Sequence, residues 1–201
     1  MTSSTYNVAI LLFDGVEILD FCGPYEVFSV ANRELNRTGF RVHTVATSES
    51  IKTQGELTVC RHFSLGDSPR TDILLVPGGA GVLDQLENQK IIDWVSTKSA
   101  EAELTTSVCT GAILLAVCGL LNGREATTHH HCFEQLRNFA PDTTIKEDCR
   151  FVDTGDIITS AGISAGIDMC LHIVSRLHNQ DLADSIAKRM EYHTSRCQTE
   201  S

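Results

Sequence analysis

A cysteine at a change of pattern in the middle of the chain is the first candidate for chemistry. Cys109 follows an extended-looking run, residues 105–108, and precedes an apolar, helix-like run, residues 111–116. A strand–turn–helix elbow displays a nucleophile above the edge of a sheet. The unpaired N–H groups of the helix start favour thiolate, which predicts a pKa for the Cys109 thiol below its ordinary value of about 8.5. On local sequence alone, a buried cysteine that serves only packing is the alternative.

A glycine-rich turn supplies a second candidate group. The segment Pro77-Gly78-Gly79-Ala80-Gly81 follows a buried run at 73–76, and ligands of open α/β sheets bind where strands end. Backbone N–H groups of Gly78 or Gly79 could donate to an anionic intermediate. A plain turn is the alternative. The segment lacks the lysine pattern of a phosphate loop.

Carboxylates follow the first apolar run, and among them we choose Asp20. A carboxylate near a thiol can act as general acid and base, moving a proton between nucleophile, water and product. The alternative is an N-cap or a loop-closing hydrogen bond, because Asp20 precedes an expected helix with Pro24 near its first turn.

Three consecutive histidines, His129 to His131, raise the question of a metal. Consecutive side chains diverge on a helix or strand, and only Cys132 lies at ligand spacing, so we expect no metal site. We expect His129 to line a pocket and His130 and His131 to be exposed. Ser164, in a run of small residues, is a natural N-cap.

The surrounding pattern must position these groups. Apolar runs at 6–13, 40–46, 72–76 and 105–108 are typical of strands buried on both faces, and stretches with helical spacing separate them. This alternation predicts a three-layer α/β sandwich with a mostly parallel sheet. We expect extended pairs at 54–61 and 146–158 as small edge additions, closing helices at about 164–177 and 180–193, and one domain over residues 1–201.

Composition excludes several classes of protein. The formal net charge is −10 over 201 residues, which disfavours a phosphate backbone or an anionic membrane as partner. No run reaches the length of a membrane span, and the first residues lack the basic region of a signal peptide, so we expect a cytoplasmic protein. In that reducing compartment the eight cysteines are expected to be free thiols.

Five segments together resemble the ThiJ/PfpI superfamily, and within it the isocyanide hydratases. They are residues 12–24, 76–79, 106–111, 126–129 and 162–168, in an order that spans about residues 6–192. The resemblance implies a flavodoxin-like sandwich, a homodimer and a small-molecule substrate, with no cofactor. It also implies that a thiolate attacks the isocyanide carbon and that a thioimidate is hydrolysed to an N-substituted formamide. The resemblance implies Cys109 as nucleophile, Asp20 as the acid that protonates and then activates water, and Thr110 beside the nucleophile. It also implies Gly79 as a backbone donor and Ile163 at the start of a helix near the thiol. The residues expected around the pocket are Glu17, His129, Ile163 and Ser164.

Other branches of the superfamily remain open or are disfavoured by particular residues. Protease members carry histidine after the cysteine, and Thr110 stands there, which disfavours peptidase activity. Glu17 keeps a deglycase or chaperone branch open. The same domain forms the ligand-sensing half of AraC-type regulators, so a non-catalytic module that senses electrophiles or oxidants is a further alternative. His130 where hydratases have tryptophan, and the tail after Tyr192, depart from the hydratase pattern.

Overall fold

Strands and α-helices alternate along residues 5–194, the part of the chain that the computed structural model describes. The strands are β1 (Tyr6–Leu11), β2 (Phe40–Ala46), β3 (Ser50–Lys52), β4 (Thr58–Cys60), β5 (Phe63–Ser64), β6 (Ile73–Val76), β7 (Leu104–Val108), β8 (Glu125–Ala126), β9 (Thr144–Ile145), β10 (Phe151–Asp153) and β11 (Ile157–Ser160). The α-helices are α1 (Ile18–Glu34), α2 (Val82–Gln85), α3 (Gln89–Glu101), α4 (Gly111–Val117), α5 (Phe133–Phe139), α6 (Ala165–Leu177) and α7 (Gln180–Arg189).

Seven of the strands form a central sheet in the order β10-β11-β7-β6-β1-β2-β5. All neighbours pair in parallel except β10 and β11, which are antiparallel. Every residue of β6 and β7 is buried, as expected for strands covered on both faces. Helices α1, α6 and α7 pack on one another, and α2 to α5 form a second group. The predicted three-layer, mostly parallel α/β fold is confirmed.

Several predicted boundaries need correction. An extended pair was predicted over residues 54–61. The structure instead pairs β3 with β4, and the turn between them occupies residues 53–57. Strand β11 is not an edge addition: it lies inside the sheet, parallel to β7. Helix α7 ends at Arg189 rather than at 193.

Helix α1 begins earlier than the sequence predicted. Its first residue is Ile18, so Asp20 lies in its first turn and is not the N-cap. Pro24 lies inside the helix, where its missing N–H removes one backbone hydrogen bond without ending the helix. The side chain of Glu17, the N-cap residue, accepts a hydrogen bond from the Ile18 N–H.

The cysteines within residues 5–194 are free thiols, as predicted; Cys197 and the rest of the tail from residue 195 lie outside the described residues. Within the described range, no helix combines the length and apolar character needed to cross a bilayer.

Candidate active site

The candidate residues follow four neighbouring strands. Glu17 and Asp20 follow β1, Gly78 and Gly79 follow β6, Cys109 and Thr110 follow β7, and Ile163 follows β11. These strands lie side by side in the order β11-β7-β6-β1 and run parallel. Their carboxyl ends therefore bring the four loops together at one edge of the sheet.

Cys109 occupies a strained elbow between β7 and α4. Its φ angle is +56°, in the left-handed region that non-glycine residues seldom adopt. The Cys109 N–H points to the carbonyl oxygens of Ser160 and Ala161, at 3.1 and 3.2 Å. Its own carbonyl oxygen accepts a 2.7 Å hydrogen bond from Thr128 Oγ1. These contacts fix the conformation that turns the thiol toward the sheet edge.

Gly111 makes the tight turn after the elbow possible. A Cβ atom at this position would lie 2.1 Å from the carbonyl oxygen of Val76, closer than any real contact. Only glycine therefore lets α4 start directly behind the cysteine.

The electrostatic environment of the thiol differs from the sequence expectation. Burial, followed by the negative charge of Asp20, raises the pKa of Cys109 to about 12, while hydrogen bonds from the Thr110 and Ile163 N–H groups lower it. The prediction of a lowered thiol pKa was wrong: Cys109 is 6% exposed and the helix behind it has only seven residues, so desolvation outweighs the helix start. The resting thiol is protonated.

Asp20 lies fully buried behind the thiol. Its Oδ2 accepts a 3.0 Å hydrogen bond from the Gly78 N–H. Within residues 5–194, Oδ1 has no hydrogen-bond partner, and the Cys109 thiol lies close enough to affect the pKa of the carboxyl. Burial raises the pKa of Asp20 to about 7, against the lowering effect of the Gly78 N–H and of Cys109. The carboxyl can therefore exchange a proton near neutral pH.

The backbone N–H groups of the two glycines after β6 bind other site residues and are not free to donate to a substrate. The Gly78 N–H is taken by Asp20, and the Gly79 N–H donates to Thr110 Oγ1 at 2.9 Å. The prediction that either donates to an intermediate is corrected, because both N–H groups already have partners. A Cβ at Gly78 would lie 2.6 Å from the Thr110 backbone nitrogen and 2.8 Å from Asp20 Oδ2. The N–H groups that do face the thiol belong to Thr110 and Ile163.

A cavity of about 340 Å³ opens in front of Cys109. Its lining residues are Glu17, Gln54, Gly79, Ala80, Val82, Leu83, Cys109, Thr110, Ile113, His129, Cys132, Gln135 and Ile163. The walls are mainly apolar, with a few polar groups, as is usual for a small-molecule site. Gln54, Cys132 and Gln135 were missed from the sequence, because nothing in their local pattern marks residues that reach the cavity only in the fold.

The predicted pocket residues divide into two sets. Glu17, His129 and Ile163 line the cavity, as expected. Ser164 does not: it lies at the N-cap position of α6, but its side chain makes no capping hydrogen bond and accepts one from Arg150 Nη2 at 3.1 Å. The expectation that Ser164 caps α6 and lines the pocket is therefore corrected.

The three histidines lie in the positions that the sequence predicted relative to the pocket. His129 lines the cavity, and its Nδ1 accepts a 3.3 Å hydrogen bond from the His131 N–H, while His130 and His131 are exposed. Desolvation, then the neighbouring histidines, lowers the pKa of His129. Across residues 5–194, the structure contains no group of three His, Cys, Asp or Glu side chains placed to hold a metal ion.

Comparison with known proteins gives one family and several relatives. The family described as DJ-1/PfpI matches residues 6–176. An isonitrile hydratase of Pseudomonas putida is 33% identical over 187 residues, which cover 92% of this chain and 78% of the relative. An HTH-type transcriptional regulator of Pseudomonas aeruginosa, GbdR, is 24% identical, and the match spans half of the regulator's length. The crystal structure of a ThiJ/PfpI family protein from Pseudomonas syringae superposes with a TM-score of 0.86 at 28% identity, covering 99% of this chain and 80% of that one.

Proposed function

The chain belongs to the DJ-1/PfpI family, and from that premise we propose that it is a cysteine-dependent hydratase that converts an isocyanide to an N-substituted formamide. The observation that carries the proposal is the buried Cys109–Asp20 pair at the base of a mainly apolar cavity. The identity with an isonitrile hydratase over most of the chain supports the same reaction.

The protonation states of the pair suit the first step of this reaction. Asp20 accepts the thiol proton, the sulfur attacks the isocyanide carbon, and Asp20 returns the proton to that carbon. The product is a covalent thioimidate, in which one S–C and one C–H bond have formed and the S–H bond has been lost. A carboxyl with a pKa of about 7 is well matched to taking and giving this proton at neutral pH. Covalent attachment divides one difficult hydration into two easier steps.

The remaining contacts stabilise the charge that develops on sulfur. The N–H groups of Thr110 and Ile163 face the thiol, and they are held in place before the reaction begins. Preorganised donors of this kind lower the energy of a developing anion at small reorganisation cost. An uncharged, largely apolar isocyanide also matches the apolar walls, because a charged substrate would lose its hydration there.

We further propose a homodimer that acts in the cytoplasm on a small molecule, built as one domain with its core at about 6–192. These properties follow from the family resemblance and from the composition.

The direct test is turnover. Purified protein is incubated with cyclohexyl or aryl isocyanide, and the N-substituted formamide is followed by chromatography. We expect many turnovers, lost in the Cys109→Ala and Cys109→Ser variants. Absence of product from the unmodified protein, or retained turnover in both variants, would sink the proposal.

A sensing role is the second candidate, since half of a transcriptional regulator also matches this chain. In that case Cys109 would react once with an electrophile or with peroxide, and no product would be released. Peptide mapping separates the two, because a sensor stops after a single modification of Cys109 while a hydratase releases product and regenerates the free thiol.

A further inference from the structure

Hydrolysis of the thioimidate needs a base that can reach water. The resemblance implies Asp20 for this step, but the structure places its carboxyl behind the thiol and away from the cavity. Asp20 has no exposed surface and does not line the cavity. Water that attacks the thioimidate carbon must approach from the cavity, in front of Cys109. The group that removes its proton must therefore be one of the side chains on the cavity wall.

Few lining groups can accept a proton. Cys132 has a pKa raised by burial, so its thiol is protonated at neutral pH. His129 uses Nδ1 to accept the His131 N–H, which leaves the proton of the neutral ring on Nε2. With its Nδ1 lone pair used in this way and Nε2 carrying the proton, the ring is not a free proton acceptor. The amides of Gln54 and Gln135 do not take up protons.

Glu17 is the remaining candidate, and its position is well defined. Its backbone N–H donates to the Gly78 carbonyl oxygen at 2.9 Å, and its Oε1 accepts the Ile18 N–H at 3.1 Å. Oε2 has no hydrogen-bond partner within residues 5–194, and the side chain is half-buried on the cavity wall. The carboxyl is thus anchored by one oxygen and free at the other.

We infer that Glu17 is a second catalytic carboxyl group, which acts on water while Asp20 acts on the thiol. This inference rests on the proposed hydratase function. Glu17 takes a proton from water as the water oxygen bonds to the thioimidate carbon. The C=N electron pair moves to nitrogen, which receives that proton from Glu17. The hydroxyl proton then passes to Glu17 as the C–S bond breaks and the electron pair of that bond returns to sulfur. Glu17 passes this proton on to the sulfur, which restores the Cys109 thiol and leaves both carboxylates as they began. The sum is addition of one water to one isocyanide.

The test uses Glu17→Gln, which keeps an oxygen to accept the Ile18 N–H, with Glu87→Gln as control. Glu87 is exposed and lies outside the cavity. General acid–base catalysis is worth about 10²- to 10⁴-fold, so we expect kcat of Glu17→Gln to fall by about 100-fold or more. Intact-mass spectrometry after acid quenching should show one isocyanide mass added per chain, located on Cys109. Glu87→Gln should turn over like the unmodified protein and show no accumulation.

Hydroxylamine gives a second readout that damage to the fold would not produce. It attacks a thioimidate without a base, so it should release the Glu17→Gln adduct as a hydroxyformamidine and restore free Cys109. Turnover of Glu17→Gln within about twofold of the unmodified protein, or slow turnover without any adduct, overturns the inference. If the unmodified protein makes no formamide, the hydratase proposal fails first and this inference falls with it.

Discussion

The Cys109 thiol and the Asp20 carboxyl form a buried pair in which each group changes the pKa of the other. The charge of Asp20 raises the pKa of Cys109, while the thiol lowers the pKa of Asp20. Two negative charges side by side would be costly in this buried site, so the resting pair keeps a proton. We expect that proton on sulfur, because the pKa of Cys109 is higher than that of Asp20. The thiol gives it up when substrate arrives.

Replacing Asp20 with asparagine should separate catalysis from thiol reactivity. Turnover should fall by about 10²- to 10⁴-fold because the proton acceptor is lost. Alkylation of Cys109 by iodoacetamide at about pH 9 should instead become faster, since removing the carboxylate charge lowers the pKa of the thiol. Peptide mapping gives the rate at Cys109, with the exposed Cys60 as internal standard. Slower alkylation in Asp20→Asn would contradict this account of the pair.

The pH dependence of turnover should report Asp20. Its pKa is raised to about 7, and the reaction needs the carboxylate form to accept the thiol proton. We expect kcat/KM to fall about tenfold per pH unit below pH 7 and to level off above it. Measurement between pH 5 and 9 with an uncharged isocyanide checks this, because the substrate itself does not titrate. A rate independent of pH across that range would exclude Asp20 as the base.

Asp20 should also make the protein less stable as the pH rises. Its pKa is 3.8 in the unfolded chain and about 7 in the fold, so between these values the folded state binds more protons. One pKa unit corresponds to about 1.4 kcal/mol, so ionisation above pH 7 costs the fold on the order of 4 kcal/mol. Urea unfolding should show Asp20→Asn equal to the unmodified protein near pH 4 and more stable at pH 8. A stability difference between the two proteins that does not change with pH would count against a buried Asp20 carboxyl with a raised pKa.

Thr128 should matter for activity beyond its effect on stability. Thr128→Val removes the hydroxyl that holds the Cys109 carbonyl oxygen and leaves a buried acceptor unpaired, at a cost of about 1–3 kcal/mol. Thr106→Val is the matched control, because Thr106 Oγ1 donates to the Leu74 carbonyl oxygen within the sheet. We expect similar losses in unfolding free energy, but a loss of turnover, about tenfold or more, only in Thr128→Val. Equal turnover in the two variants would show that this contact does not hold the elbow.

Gly78→Ala should disturb the acid rather than the fold as a whole. The new Cβ would meet Asp20 Oδ2 and the Thr110 backbone, so the carboxyl must move away from the thiol. We expect turnover to fall by about 100-fold, as for a misplaced catalytic group. Gly66→Ala is the control, since the nearest atom to a Cβ there is Ser64 Oγ at 4.0 Å. Full activity in Gly78→Ala would mean that the loop adjusts without moving Asp20.

The parts of this protein that could be predicted from sequence are those that local pattern determines. Apolar strands buried on both faces gave β1, β2, β6 and β7 within two residues of their ends. The sequence misplaces the start of α1, because proline is typical of a first helical turn and this helix accommodates Pro24 further along. The position of β11 inside the sheet could not be predicted. Its parallel partner β7 is separated from it in the chain by residues 109–156, and a local pattern does not reveal which distant strands pair.

The positions of the candidate site residues could be predicted from the sequence, but their electrostatics could not. Cys109 and Asp20 follow strands whose ends meet at one edge of the sheet, whereas the rise in the thiol pKa depends on burial and on the nearby Asp20 charge. The partners of Gly78 and Gly79 likewise depend on loops that meet only in the fold. Gln54 and Gln135 reach the cavity from segments far apart in the chain, so their role has no local signal.

The row of four loops along β11, β7, β6 and β1 has a consequence for how such a site can evolve. The strands align the four loops, but three of the loops also bond to one another. The loop after β6 donates from Gly78 to Asp20 and from Gly79 to Thr110, and it accepts the Glu17 N–H. An insertion in one of these three loops would therefore displace groups in the other two. Substrate specificity is expected to change through single side chains on the cavity wall, while the backbone around the cysteine is kept.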